Sequence, residues 1–586
     1  LIGIAYIFYL RIGFKDMKTN ATELNDQQKI IADVCIIGAG PAGMATAHEF
    51  LNSDLNVTIL ESGGNQYINP VQMLSKGELS GDMFLVQELT HLRQIGGTAN
   101  SWILQMTDEE YGYRYSPLDE IDFEKRDDFP YSGWPFSKKE LDPYYERAHI
   151  TCGLGQYNYT AKYWAQGKFQ PIQFDEEKIY NSIFTFGPTK KFTKEIPEKI
   201  TESNNVNLYF EATVVELLCD ETGENVTTAV VKMFDGKEIY FKAKQFIITS
   251  NALQTPRLLL NSKKTHKNGI GNQNDNVGRY YMDHYLVPCG NFYPHDQKFI
   301  NQLGFYDMQS VEGKTVLGRI NLNPTMMKKE GLRNMAVMLF PMAWNQSDLD
   351  AMNSLNAIKF PHFRMYHIRF PIDFAKHVTQ LLSKPKELMI HIRNIFRGRN
   401  RLFRAVYEYI RYGVPVFLGL GRGGWSRMAN NEGKYDKFEL LAIVEQSPNP
   451  ENRLTVTNDK DELGCPKTKI HYICAEEDIN SVEKAQKIMG ETMEATGLGR
   501  YEPPAVGAEV MKTLSGIHHM LGTTRMSDDP ASGVVDRDCC VHGMKNLFIA
   551  GSAVFPTGGY ANPTLTNIAL SIRVADKVKS LLGSTK

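Results

Sequence analysis

A short apolar run, Asp33-Val34-Cys35-Ile36-Ile37, passes directly into Gly38-Ala39-Gly40-Pro41-Ala42-Gly43 and then into a helical pattern from Met44 to Leu51. A second apolar run, Val57-Thr58-Ile59-Leu60, ends at Glu61. Strand, tight turn, helix and a strand closing on an acid make a β-α-β unit of the kind that binds a dinucleotide. Gly38 allows the turn, Gly40 lets the backbone approach a pyrophosphate, and Gly43 lets helix and strand pack closely. The helix N-terminus faces the phosphates, while Glu61 accepts hydrogen bonds from a ribose diol and repels a ribose phosphate.

At 586 residues the chain needs more than one packed core, and two domains are expected. From Val206 to Leu260 short alternating strands appear, Leu208 to Leu218 and Thr228 to Met233, with a turn at Asp235-Gly236. Phe246-Ile247-Ile248 and a helix through Arg257-Leu258-Leu259-Leu260 follow, the order of a β-meander rejoining the first sheet. Between about 290 and 500 aromatic and basic residues dominate and motifs thin out, as in a separate substrate-facing unit. The fold class is therefore α/β: a Rossmann-like domain with a β-meander, discontinuous in sequence, plus an α+β substrate domain with an antiparallel sheet. Its expected division is a tail over 1–30, dinucleotide-binding segments at 31–130, 205–289 and 511–586, lid or substrate elements at 131–204, and the substrate domain at 290–510. No internal repeat or low-complexity tract is present.

A formal net charge of −2 gives no overall pull toward nucleic acid or anionic membrane. The eight cysteines form no CxxC and no metal-ligand spacing, so no metal is expected and a reducing, cytoplasmic setting fits. Cys539 and Cys540 read as two ordinary thiols rather than a strained vicinal disulfide. Leu1 to Leu10 are apolar, but Arg11 and Lys15 follow, and the run is half of the ~20 residues that a spanning helix needs. Residues 1–16 are read as upstream sequence or a poorly ordered tail, with a natural start at Met17. One segment, Lys384 to Arg411, is rich in Lys and Arg with interleaved Ile392, Ile395, Phe396, Phe403 and Tyr407. It reads as a basic helix pair, either a solvated face or a contact for a membrane surface or an electron acceptor.

Chemistry concentrates in the last seventy or so residues. Gly516-Ile517-His518-His519-Met520-Leu521-Gly522-Thr523-Thr524-Arg525-Met526 is followed by an apolar strand, Asn546 to Ala550, then Gly551-Ser552, then Gly558-Gly559-Tyr560-Ala561-Asn562-Pro563-Thr564-Leu565-Thr566. Asn562-Pro563 reads as a helix start, with Pro563 at the first helical position and Ile568 to Val578 supplying the buried face. Free N–H groups and a partial positive charge at such a helix suit the pyrimidine edge of a flavin as it gains negative charge. A histidine nearby is suited to take a proton near neutral pH.

Together these motifs resemble the glucose–methanol–choline (GMC) oxidoreductases, and within them the branch of the pyranose oxidases and the fructose and gluconate dehydrogenases. The likeness runs from residue 33 onward. It includes Gly96-Gly97-Thr98, Trp134-Pro135 with Leu141-Asp142-Pro143-Tyr144-Tyr145, Thr255-Pro256-Arg257-Leu258-Leu259, Val277-Gly278-Arg279 to Asp283-His284, and Glu445-Gln446-Ser447-Pro448-Asn449-Pro450, besides the nucleotide unit and the two C-terminal motifs. The resemblance implies FAD, with Gly38, Gly40, Gly43, Glu61, Gly97, Thr98, Ala99, Val214, Gly551, Pro563 and Thr564 around it. A histidine four residues before the threonine of Gly-Thr-x-Arg-Met faces the flavin in that family, which selects His519 rather than His518. Its partner is the residue before Pro-Thr, here Asn562.

What the resemblance implies is oxidation of an alcohol or sugar CH–OH group to a carbonyl. His519 takes the hydroxyl proton, Asn562 orients the alkoxide, and hydride passes to flavin N5. His518, His284 and His542 are read as packing or structural residues. Pyranose oxidases tether their flavin through a histidine, whereas the matching position here is Ser101, so FAD is expected to be non-covalent. Alternatives are a lyase of the same fold with a non-redox flavin, and a membrane-surface dehydrogenase passing electrons to quinone or a cytochrome. The substrate and the electron acceptor are unmarked in the sequence. Trp344, Phe363 and Trp425 read as packing residues before stacking platforms for a sugar.

Overall fold

A computed structural model describes residues 18–82, 87–102, 104–106, 110–165, 169–296, 303–342, 354, 358, 370–397, 426, 437–504 and 517–584. Its centre is a six-stranded, wholly parallel sheet in the order Lys18–Asn20, Val206–Phe210, Val57–Leu60, Val34–Ile37, Gln245–Ile248, Leu547–Ile549. The two strands of the glycine unit are buried along their whole length, as a sheet covered on both faces demands. The helix Pro41–His48 leaves the sheet at Gly40, and the C-terminal helix Thr564–Leu581 packs against it. The strand order reverses around Val34–Ile37, so the chain opens a crevice at the carboxyl ends of the strands, where ligands bind in such sheets.

The expected meander is Val214–Cys219, Val226–Lys232 and Glu238–Lys242, joined on its far edge by Lys29–Ile31. The apolar stretch 208–218 divides into two strands of different sheets, because Glu211 takes a positive φ of 54° and Ala212 donates its N–H to the carbonyl of Glu61. Near the expected tail over 1–30, the three-residue strands Lys18–Asn20 and Lys29–Ile31 pair with Val206–Phe210 and Glu238–Lys242.

A second, antiparallel sheet runs Gly499–Glu502, Tyr285–Pro294, Lys437–Val444, Met335–Met342, Lys314–Leu322, Ile179–Pro188, Tyr111–Tyr115, Leu104–Gln105, with Met308–Val311 on Lys314–Leu322. Leu104–Gln105 and Tyr111–Tyr115 lie in this sheet and not with the rest of 31–130, because their partners are Ile179–Pro188 and each other. One continuous apolar core passes through both sheets. Of the basic segment 384–411, the described part is the helix Pro385–Arg397, which follows another helix, Phe370–Ser383, across a junction at Lys384. Residues 398–411 lie outside the described residues, as do Trp344, Phe363, Trp425 and residues 1–16. Among the described residues no helix is long and apolar enough to cross a membrane. All eight cysteines are unbridged, Cys539 and Cys540 included.

Candidate active site

The crevice holds a cavity of about 600 Å³. Gly38, Gly40, Glu61, Gly97, Thr98, Val214, Gly551, Pro563 and Thr564 all line it, as do His519 and Asn562. Two expected contacts do not. Gly43 turns away from the cavity: a Cβ there would lie 1.9 Å from the carbonyl oxygen of Gly38, so its role is the close helix–strand packing expected of the third glycine. Ala99, expected at the flavin, is fully buried in the short helix Gly97–Ser101 and off the cavity surface, while Gly97, Thr98 and Ser101 of that helix line it.

Gly40 and Gly97 meet across the cavity floor, where a Cβ on Gly97 would stand 2.8 Å from the Gly40 Cα. Gly97 has a φ of +52°, so glycine is required there on both grounds. Glu61 receives the N–H of Ala39 at 2.9 Å and of Gly63 at 2.8 Å. Burial pushes its carboxyl up to about 7, against the pull of those hydrogen bonds and of Arg93.

The nucleotide end also contains a cation that the sequence motifs did not mark. Arg93 donates to the hydroxyls of Ser75 and Ser62 and to Gln254 Oε1, and burial lowers its guanidinium to about 10. Two lining side chains leave a buried polar atom without a hydrogen bond, Gln254 Nε2 and Asn567 Oδ1. Orphaned polar atoms facing a cavity are costly unless a ligand satisfies them. Together with the glycine floor and the acid at 61, they fit an adenine dinucleotide.

At the other end of the cavity, Asn562 Nδ2 lies 2.8 Å from His519 Nε2. The two sequence motifs thus converge, with both side chains buried. The helix start is one residue later than expected: Pro563 is the cap and Thr564 the first helical residue. Asn562 is held from behind by the Arg114 guanidinium, whose Nε donates to Asn562 Oδ1 at 2.9 Å. His519 Nδ1 meets His284 Nδ1 at 2.9 Å. His284, read from the sequence as structural, thus touches the imidazole expected to do the chemistry.

Burial, and then the positive charge available on His284, Arg114 and His518, hold His519 well below the usual histidine range. His284 is lowered to about 4, chiefly by burial. Beneath them the carboxylate of Asp283 accepts the backbone N–H of His284, His518 and His519, at 2.7, 3.2 and 2.8 Å. His518 lines the cavity at a φ of +67°. His542 bonds the Ser527 carbonyl at 2.9 Å and lies outside the cavity lining.

The loop before Asn562 is clamped by two buried acids. Glu445 Oε1 accepts the Gly559 N–H at 2.8 Å, and a Cβ on Gly559 would fall 2.3 Å from Asp122 Oδ2. The neighbouring Gln446 Oε1 accepts the N–H of Asp283 at 2.8 Å. One dipeptide of the Glu445–Pro450 motif therefore supports both loops that carry the site.

The family model described as GMC oxidoreductase matches residues 448–571, the span that includes both His519 and Asn562. The large subunit of fructose dehydrogenase from Gluconobacter japonicus is 25% identical over 342 residues, 57% of this chain and 47% of that protein. Pyranose 2-oxidase from Tricholoma matsutake is 31% identical over 152 residues, 25% of this chain and 26% of that protein. The chain therefore spans less than half the length of these relatives. The crystal structure of formate oxidase superimposes over 95% of this chain and 99% of that one, with a TM-score of 0.51 at 16% identity, a likeness of fold. The matched span covers both halves of the His519–Asn562 pair, so over residues 448–571 the chain is similar to the GMC oxidoreductases.

Proposed function

We propose that this protein is an FAD-dependent oxidoreductase that converts a CH–OH group of an alcohol or sugar to a carbonyl. The observation that carries this is the His519–Asn562 pair, 2.8 Å apart, on the same cavity as the Gly38–Gly40 turn and Glu61. Bound FAD would supply the hydride acceptor. His519, kept uncharged by burial and by neighbouring positive charge, takes the hydroxyl proton on Nε2. Asn562 holds the substrate oxygen beside that nitrogen. Fixing both groups before reaction removes much of the orientational cost.

The division of labour follows the two sheets. The parallel sheet and its meander, built from segments around 18–102, 205–282 and 517–584, bind the cofactor, and the antiparallel sheet faces the substrate. Ser101 lines the cavity and its hydroxyl donates to the Thr98 carbonyl at 2.8 Å. Serine has no imidazole to offer as a tether, so the flavin is held without a covalent bond. Eight unbridged thiols favour a reducing, cytoplasmic compartment.

Anaerobic mixing with a panel of sugars, polyols and simple alcohols tests the proposal through bleaching of the flavin band. His519→Ala should slow that bleaching on the order of 10²–10⁴-fold. Wild-type speed in the variant would remove His519 from the mechanism, and carbonyl release without bleaching would replace oxidation with a lyase reaction.

A second reading, membrane-surface electron transfer, is favoured by the helix pair. Leu382, Met389 and Ile390 are 65%, 64% and 49% exposed beside Lys384, Lys386 and Arg393. Sedimentation with anionic vesicles should then carry the protein down at low salt and release it at high salt.

A further inference from the structure

Arg114 stands on the strand Tyr111–Tyr115, and its guanidinium is buried. Among the described residues it forms no ion pair. It donates to Asn562 Oδ1 and, through Nη1, to the Met338 thioether at 3.0 Å, and it lies 5.8 and 5.3 Å from the ring centres of Tyr113 and Phe184. A guanidinium only donates and stays protonated, so the atom it meets on Asn562 must be the oxygen. This settles which way the amide is turned.

Asn562 Nδ2 can only donate, so His519 Nε2 accepts and carries a lone pair instead of a proton. The single proton of the neutral His519 ring then sits on Nδ1. That nitrogen meets His284 Nδ1 at 2.9 Å, and two ring nitrogens so close share one proton, so His284 Nδ1 is bare. The remaining proton of His284 lies on Nε2, toward the Gly558-Gly559 turn, where a Cβ on Gly558 would be 3.4 Å away.

We propose that Arg114 and His284 are positioning residues for the oxidation described above, on which this inference rests: together they hold the resting proton of His519 on Nδ1 and keep Nε2 bare toward the substrate hydroxyl. When the substrate hydroxyl displaces the Asn562 Nδ2–H from Nε2 and gives up its proton there, the O–H bond is exchanged for an N–H bond and the ring becomes a cation. His284 Nδ1 continues to accept from Nδ1–H and so stabilises it. The groups facing His519 are His284, Arg114 and His518, with Asp283 engaged by backbone N–H groups below.

The first test reads protons directly. Nitrogen NMR of the full-length holoprotein labelled at histidine, with His519→Gln to assign the signal, should show Nδ1 protonated and Nε2 bare. A proton on Nε2 overturns the proposal. In the second test, Arg114→Met and His284→Leu should slow anaerobic flavin reduction roughly 10- to 100-fold with little change in substrate affinity. Arg114→Gln retains a donor and His284→Asn an acceptor, so each should recover most of the lost rate.

Arg114→Gln should also shift the acid limb of the rate profile upward by roughly half a pH unit to one, because a repelling charge has gone and His519 protonates more readily. Wild-type rates in the Met and Leu variants, or no recovery in the Gln and Asn variants, would refute a positioning role. Should Arg114→Met fail to fold, the pH shift of Arg114→Gln and the wild-type nitrogen spectrum decide. If wild-type flavin resists every alcohol, it is the oxidation that fails, and the spectrum alone judges the proton arrangement.

Discussion

Gly43 shows how little room the nucleotide turn leaves. Any side chain there meets the Gly38 carbonyl at 1.9 Å and the Thr249 hydroxyl at 2.8 Å, and the first of these is backbone that cannot swing aside. Gly43→Ala should therefore destabilise the protein by about 1–3 kcal/mol and lower the flavin retained after gel filtration, as read from denaturant unfolding and the flavin-to-protein absorbance ratio. The role of this residue was legible because three glycines at fixed spacing after an apolar run impose it locally. His519 and Asn562 were legible for a similar reason, each being embedded in a contiguous motif. Arg114 was not, since it lies in Tyr-Gly-Tyr-Arg-Tyr, a plain strand pattern, and meets Asn562 only through tertiary folding. His284 sat in a visible motif, but its contact with His519 depends on how Asp283 gathers three backbone N–H groups, which spacing does not reveal.

Among the elements, the loop Gly558–Asn562 is held by buried acids, and this clamp titrates. Burial raises the Asp122 carboxyl well above its usual range, with the charges of Glu445 and Asp119 adding to the effect, and burial raises Glu445 as well. Between the ordinary carboxylate range and these raised values the folded protein binds more protons than the unfolded chain. The pair's contribution to stability therefore falls as pH rises through that window. Asp122→Asn should begin less stable than wild type near pH 5, where it loses a hydrogen-bond acceptor, and close the gap as pH climbs to about 8. Differential scanning calorimetry of both proteins across that range checks it. The central strands of the parallel sheet and those of the meander were readable as apolar runs of the right period. The antiparallel strands between 290 and 500 were not, nor were Lys18–Asn20 and Lys29–Ile31, three-residue strands at sheet edges whose structure is dictated by their neighbours and not by their own side chains.

Over the whole molecule, cofactor and fold should stabilise each other, because the cavity is lined by residues from both ends of the chain. Adding FAD to stripped protein at about 100 times its dissociation constant should contribute about 2.7 kcal/mol, seen as a rise in melting temperature. Acid precipitation should release the flavin into the supernatant, and flavin pelleting with the protein would mean a covalent bond through a residue other than Ser101. The α/β class and the meander were visible in sequence. The division at residue 130 was less so, because Tyr111–Tyr115 crosses to the other sheet to pair with Ile179–Pro188, a choice of partner that no local pattern encodes. The strand Leu547–Ile549, at the edge of the parallel sheet, lies between His519 and Asn562 in the chain. Translation must pass residue 562 before the His519–Asn562 pair can form, so a fragment released earlier lacks the pair on which the proposed proton transfer depends.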